Sequence, residues 1–319
     1  MEHIHKPITI RKQLLRERGW TLRRVFDTNE HEPHKDVCSI ILEDGTTCIL
    51  RIGEHRPPAF FPSGYDGKHI VVPRLLETSD DPCYEIEALL PGLLLSEIDP
   101  APTADSILRP DLLTKCIEGF WEIGSVFAKA PNLERRWNIK EKLGKHLIVA
   151  RTLLTTDEQI ALDALLTSTK KFWSSRAPAK WKYSADNILL LPDGRLGLVD
   201  LAQVGTYLWG YDLGWIVWPR WLHLPLEVWQ NPQPHFDALE RFIEEVIALA
   251  PSHKQKHAPV LRRCILLVLL ERVIGSFYDV VNNTSHTHDP LENEQRRDAH
   301  IHFLHALLYW ILSQADPQR

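Results

Sequence analysis

Near Glu97 the spacing of apolar residues changes from the period of a strand to that of a helix, and this one change dictates two differently built lobes. Before it, "KDVCSIILEDGTTCILRIG" holds two β-branched runs around Asp44-Gly45, a dipeptide that accepts the positive φ of a tight hairpin turn. "WTLRRVFDT", "HIVVPRLLET" and "CYEIEALLPG" read as further strands, and residues 9–18 as a short helix stopped by Gly19. After the proline-rich "EIDPAPTAD", helical spacing governs residues 112–130, 143–154, 158–172, 236–249, 258–281 and 297–314. The expected architecture is α+β and bilobal: a small antiparallel β lobe over 1–96, and a large helical lobe over 97–319 that carries one β hairpin at 183–201.

Charge narrows the choice of function. A net charge of −5 offers no broad basic field, so nucleic acid is not an expected partner. The five cysteines form no CxxC pair, which suits reduced thiols and a cytoplasmic setting. The start "MEHIHKPITIRKQ" lacks an apolar signal core. The most apolar run, "CILLVLL", is flanked by Arg262, Arg263, Glu271 and Arg272, and so reads as a buried helix rather than a membrane span.

Within the helical lobe, "NILLL", a Pro-Asp-Gly turn and "LGLVDL" put Asn187 and Asp200 at opposite ends of one hairpin. An amide oxygen and a carboxylate brought together suit Mg²⁺, which takes oxygen ligands and bridges to phosphates.

The residues Tyr183-Ser184-Ala185-Asp186-Asn187-Ile188-Leu189 resemble the end of the H-G-D-x-[HS]-x-D-N-I-L loop of the aminoglycoside phosphotransferase and choline kinase superfamily. Asp200, Gly205 and the "YDLGW" around Asp212 resemble its second motif, in register. The likeness implies a protein-kinase-like fold, with ATP and Mg²⁺ as cofactors and an alcohol as phosphoryl acceptor. By it Asn187 and Asp200 hold the metal, Arg51 grips phosphates where a lysine is usual, and Glu87, Ala88 and Leu89 lie near the adenine. Asp212 braces the loop from a helix start.

Three departures shape the functional expectation. The position of the family's catalytic Asp is Lys182, and its preceding His and Gly are Lys180 and Trp181. The phosphate-loop position, residues 27–36, has no glycine. Residues 54–69, where a helix should supply a Glu to the phosphate-gripping cation, carry three prolines and two glycines. The chain is therefore expected to be a pseudokinase that binds a nucleotide, a phosphorylated ligand or a protein partner with little phosphoryl transfer. The alternative is an active small-molecule kinase with an atypical site, and a third class is a structural subunit that answers to no ligand. Lys180 and Lys182 are expected either as a solvated surface pair or as phosphate contacts. His286, His288, His300, His302 and His305 are expected at the surface or at helix ends. Of the tryptophans from Trp209 to Trp229, most are expected in the core, with one or two lining an acceptor pocket.

Overall fold

The Asp44-Gly45 turn closes as the sequence requires. Gly45 sits at φ 82°, its amide donates to the Leu42 carbonyl at 3.0 Å, and the Asp44 carboxylate accepts the Thr46 amide at 2.8 Å. A computed structural model describes residues 6–26, 35–53, 64–127, 139–201, 204–282 and 290–314. Helix α1 (Lys6–Glu17) precedes β1 (Thr21–Phe26), β2 (Asp36–Ile41), β3 (Thr47–Ile52), β4 (Ile70–Val71), β5 (Leu75–Asp80) and β6 (Cys83–Ala88). Five of these strands form one antiparallel sheet in the order β1-β2-β3-β6-β5.

Alternation gives that sheet two unlike faces. Cys48, Leu50, Ile52, Tyr84 and Ile86 turn one way and make a small core with Leu14 of α1. Arg11 of α1 fastens this face through Asp36 at 2.9 Å. Arg51, Glu85 and Glu87 turn the other way. Arg51 stands opposite Glu85, and Ile49 opposite Glu87, in the β3–β6 register.

The stretch "HIVVPRLLET" is not one strand, which corrects the sequence expectation. Pro73 interrupts it. Leu75–Asp80 joins the five-stranded sheet, whereas Ile70–Val71 pairs in parallel with a strand of the other lobe, Leu196 opposite Ile70. A proline has no amide to give to a ladder, so the chain changes partners there.

After the five-stranded sheet come β7 (Leu93–Leu94), α2 (Leu95–Ile98), α3 (Pro110–Phe127), α4 (Ile139–Ala150) and α5 (Thr156–Ser168). Next come β8 (Arg176–Ala179), β9 (Ile188–Leu190), β10 (Leu196–Leu198) and β11 (Gly205–Leu208), then α6 (Tyr211–Trp221), α7 (Leu226–Gln230) and α8 (Gln233–Ala248). Helices α9 (Ser252–Gln255), α10 (Ala258–Val281) and α11 (Pro290–Gln314) follow. Strands β9 and β10 form the expected hairpin, turning at Gly194 with φ 85°. Helix α10 runs through the centre of the large core, and its residues Cys264 to Leu270 are fully buried. Among the described residues no helix is long and apolar enough to cross a membrane.

Candidate functional site

A cleft of about 920 Å³ lies between the outer face of the small sheet and the β9–β10 hairpin. Arg51, Glu87, Ala88 and Leu89 line it from one side, and Lys182, Asn187 and Asp200 from the other. The Val199 amide donates to the Asn187 carbonyl at 3.3 Å, so Asn187 and Asp200 emerge side by side at the open end of the hairpin.

The loop between β8 and β9 is held by a buried latch. Both carboxylate oxygens of Asp212, in the first turn of α6, accept backbone amides: Lys180 at 2.8 Å and Trp181 at 2.9 Å. Trp181 and Lys182 take φ values of 61° and 47°, in the left-handed region that a tryptophan rarely visits. By the sequence resemblance, Trp181 stands where the superfamily has glycine, and the backbone keeps a glycine-like shape without the glycine. Each such residue costs on the order of 1–3 kcal/mol and persists only where its surroundings fix it.

Lys180 supplies much of that fixing. It is fully buried, and its ammonium donates to the carbonyls of Lys182 at 3.3 Å and Asp200 at 3.2 Å. Neither a solvated surface residue nor a phosphate contact, Lys180 is a strut that joins the loop to the end of the hairpin. Burial lowers its pKa and raises that of Asp212, each opposed by the charge of the other. The Asn187 side-chain amide adds a third tie, donating to the Lys182 carbonyl at 3.2 Å.

Asp200 lines the cleft under the charges of several cations. Burial acts to raise its pKa, but the charges of Arg51, Lys180, Lys182 and Lys35 prevail and hold it below the ordinary carboxylate range. Arg51 lies 3.7 Å from Asp200 and 3.5 Å from Glu87. Among the described residues Glu87 of the neighbouring strand β6 supplies a carboxylate to Arg51, where the resemblance expects one from a helix in residues 54–69. Of that segment 54–63 lies outside the described residues, as do 27–34 of the phosphate-loop position and His286 and His288.

Asn187 and Asp200 offer an amide oxygen and a carboxylate, a donor pair that suits Mg²⁺, but the charges of Arg51, Lys180, Lys182 and Lys35 already act on the carboxylate and compete with a metal there. His300 is buried, against expectation, and stacks on Trp229 with ring centroids 5.0 Å apart. His305 meets Glu158 at 2.7 Å.

Sequence reasoning missed Lys35 and left the tryptophans undivided. Val37 faces Arg51 in the β2–β3 register, so Lys35, two residues earlier, reaches the same face. That signal was present in the hairpin. Trp221 and Trp229 are core, whereas Trp215 and Trp218 line the cleft.

The fold and cleft define a class, the kinase-like fold of aminoglycoside phosphotransferases and choline kinases. No known family's sequence profile matches the chain, and no curated protein matches it by sequence. Solved structures do match. The chain is similar to aminoglycoside phosphotransferase APH(4)-Ia, with 13% identity, TM-score 0.55, and 95% of this chain and 98% of that one covered. It is similar to amicoumacin kinase hAmiN, solved with AMP-PNP, Ca²⁺ and Ami, with 12% identity, TM-score 0.53, and coverage of 97% and 94%. A choline/ethanolamine kinase family protein from Mesorhizobium loti gives 13% identity, TM-score 0.50, and 92% of each chain. At these identities the likeness is one of fold.

Proposed function

We propose that this chain is a phosphotransferase-like pseudokinase, whose cleft binds a phosphate-bearing ligand, a nucleotide among them, with little phosphoryl transfer. The observation that carries the proposal is that Arg51 lies 3.7 Å from the Asp200 carboxylate, the Lys180 ammonium donates to the Asp200 carbonyl at 3.2 Å, and Lys182 and Lys35 line the same cleft. One charge pair at about 5 Å and an effective dielectric near 20 interacts by about 3 kcal/mol. Arg51, Lys182 and Lys35 so placed compete with Mg²⁺ for Asp200 and attract phosphate themselves. A lysine at 182 also removes the group that would take the acceptor's proton, a contribution worth ~10²–10⁴-fold.

One observation favours an active ATP- and Mg²⁺-dependent small-molecule kinase instead. Glu87 orders Arg51, which repairs one of the three lesions read from the sequence. Phosphoryl transfer depends mainly on positioning and charge, so loss of a base alone does not abolish it. A phosphate-release assay with Mg²⁺-ATP, with and without small alcohol or aminoglycoside acceptors, separates the two. The pseudokinase gives background turnover, whereas roughly 1 s⁻¹ or faster, the ordinary range of kinases, overturns it.

A further inference from the structure

The acceptor end of the cleft has an aromatic wall whose cation-binding faces are already in use. Trp215 and Trp218, one turn apart on α6, meet edge to face at 5.0 Å, and Trp181 from the loop meets Trp215 at 5.6 Å. Behind them lies Arg272 of α10, 5% exposed. Its guanidinium carbon is 5.1 Å from the ring centroids of both Trp215 and Trp218, and 5.5 Å from that of Tyr211. Glu271 accepts from its Nε at 2.5 Å, and the Tyr211 hydroxyl from its Nη2 at 3.0 Å, so the cation is fixed. At the other end of the wall, the Lys182 ammonium lies 5.1 Å from the Trp181 ring centroid.

An aromatic cluster exposed to a cleft ordinarily attracts organic cations through its ring quadrupoles. Here the protein's own Arg272 holds those quadrupoles from behind, and Lys182 stands in front. Two nearby carboxylates have partners, Glu87 with Arg51 and Glu97 with the Leu94 amide at 3.0 Å, and Asp186, also on the lining, is exposed. A ligand cation competes with Arg272 and Lys182 for the ring faces. A flat ring gains an aromatic surface, and Lys182 and Arg51, which line the same cleft, offer cations to a phosphate on that ring.

We infer that this end of the cleft is a site for a phosphomonoester of an aromatic or similarly planar alcohol, with its ring against Trp215 and Trp218 and its phosphate at Lys182 and Arg51, and that it excludes organic cations. The assignment rests on the phosphate-binding cleft proposed above and adds the ligand's class.

Titration calorimetry of the wild-type chain with phenyl phosphate, inorganic phosphate and phenyltrimethylammonium tests it. Phenyl phosphate should bind about tenfold or more tightly than inorganic phosphate and be displaced by it, and the quaternary ammonium should show no saturable binding. Trp215→Leu should abolish the preference for phenyl phosphate and keep the affinity for inorganic phosphate. Equal affinities of the two phosphates in the wild type overturn the ring site and leave the phosphate cleft standing. Binding of neither overturns both, and binding of phenyltrimethylammonium as tight as that of phenyl phosphate overturns the cation exclusion. The wild-type comparison needs no variant to fold.

Discussion

The Asp212 carboxylate accepts the Trp181 backbone amide at 2.9 Å and so holds a tryptophan at φ 61°. Its other oxygen takes the Lys180 amide at 2.8 Å, and the carboxylate is fully buried. Asp212→Ala strands both amides and removes one of the two carboxylates, Asp200 being the other, that compensate the Lys180 ammonium. Breaking one side of a buried charged pair costs about 3–5 kcal/mol. Chemical denaturation should show a loss of that order. A loss below about 1 kcal/mol would mean that the loop does not depend on this latch.

Arg51 links Glu87 to Asp200, and its removal should move two affinities in opposite directions. Without the guanidinium 3.7 Å from its oxygen, Asp200 is less compensated and a better ligand for a divalent ion. Phosphate loses the same cation. Arg51→Met should raise Mg²⁺ affinity and lower inorganic phosphate affinity, each by roughly tenfold. Calorimetric titration of each ion reads this directly. A parallel change in both would show that the substitution acts through the fold rather than through charge.

Acid should weaken the helical lobe through two buried histidines. His235 has no hydrogen-bond partner on either ring nitrogen among the described residues, and burial lowers its pKa to about 4. His300 is likewise lowered to about 4, by burial first and by the Arg296 charge second. Both are neutral in the folded chain, and their folded pKa values lie below the unfolded value of about 6.5. Their contribution is therefore whole above about pH 6.5 and is lost as pH falls toward 4. The linkage amounts to on the order of 3 kcal/mol per histidine at full extent. His235→Phe and His300→Phe should each flatten the decline in melting temperature between pH 6.5 and 4. An unchanged decline in both variants would place the acid sensitivity elsewhere.

What the sequence made legible follows from the range over which each feature is encoded. Asp44-Gly45 and Pro192-Asp193-Gly194 each specify a turn within a few residues, and both hairpins formed. The helix expected over 258–281 has those same bounds in the structure, Ala258–Val281, because a long buried apolar run between charged flanks leaves little choice. Pairings between distant segments were not legible. Nothing local says that β8 lies against β11, or that Ile70–Val71 leaves its neighbours for β10. The Arg51–Glu87 pair depends on the register of β3 against β6, strands separated in the chain by two others. The burial of Lys180 is legible only once Asp212 and the carbonyl of Asp200 are seen to converge on it.

The same convergence of cations on Asp200 sets the most direct test of the account. Titration of ATP, with pyrophosphate as a ring-free control, can be run in excess EDTA and again in excess Mg²⁺, on the wild type and on Lys182→Asp. On the proposed function Lys182, Arg51 and Lys35 serve in place of the metal in the wild type, so each anion should bind with affinities within about threefold in the two conditions. In Lys182→Asp, which reverses one of those charges, binding should become dependent on Mg²⁺. Wild-type binding that is tenfold or more tighter with Mg²⁺, or no binding of either anion, would contradict a cleft that holds phosphate on its own cations.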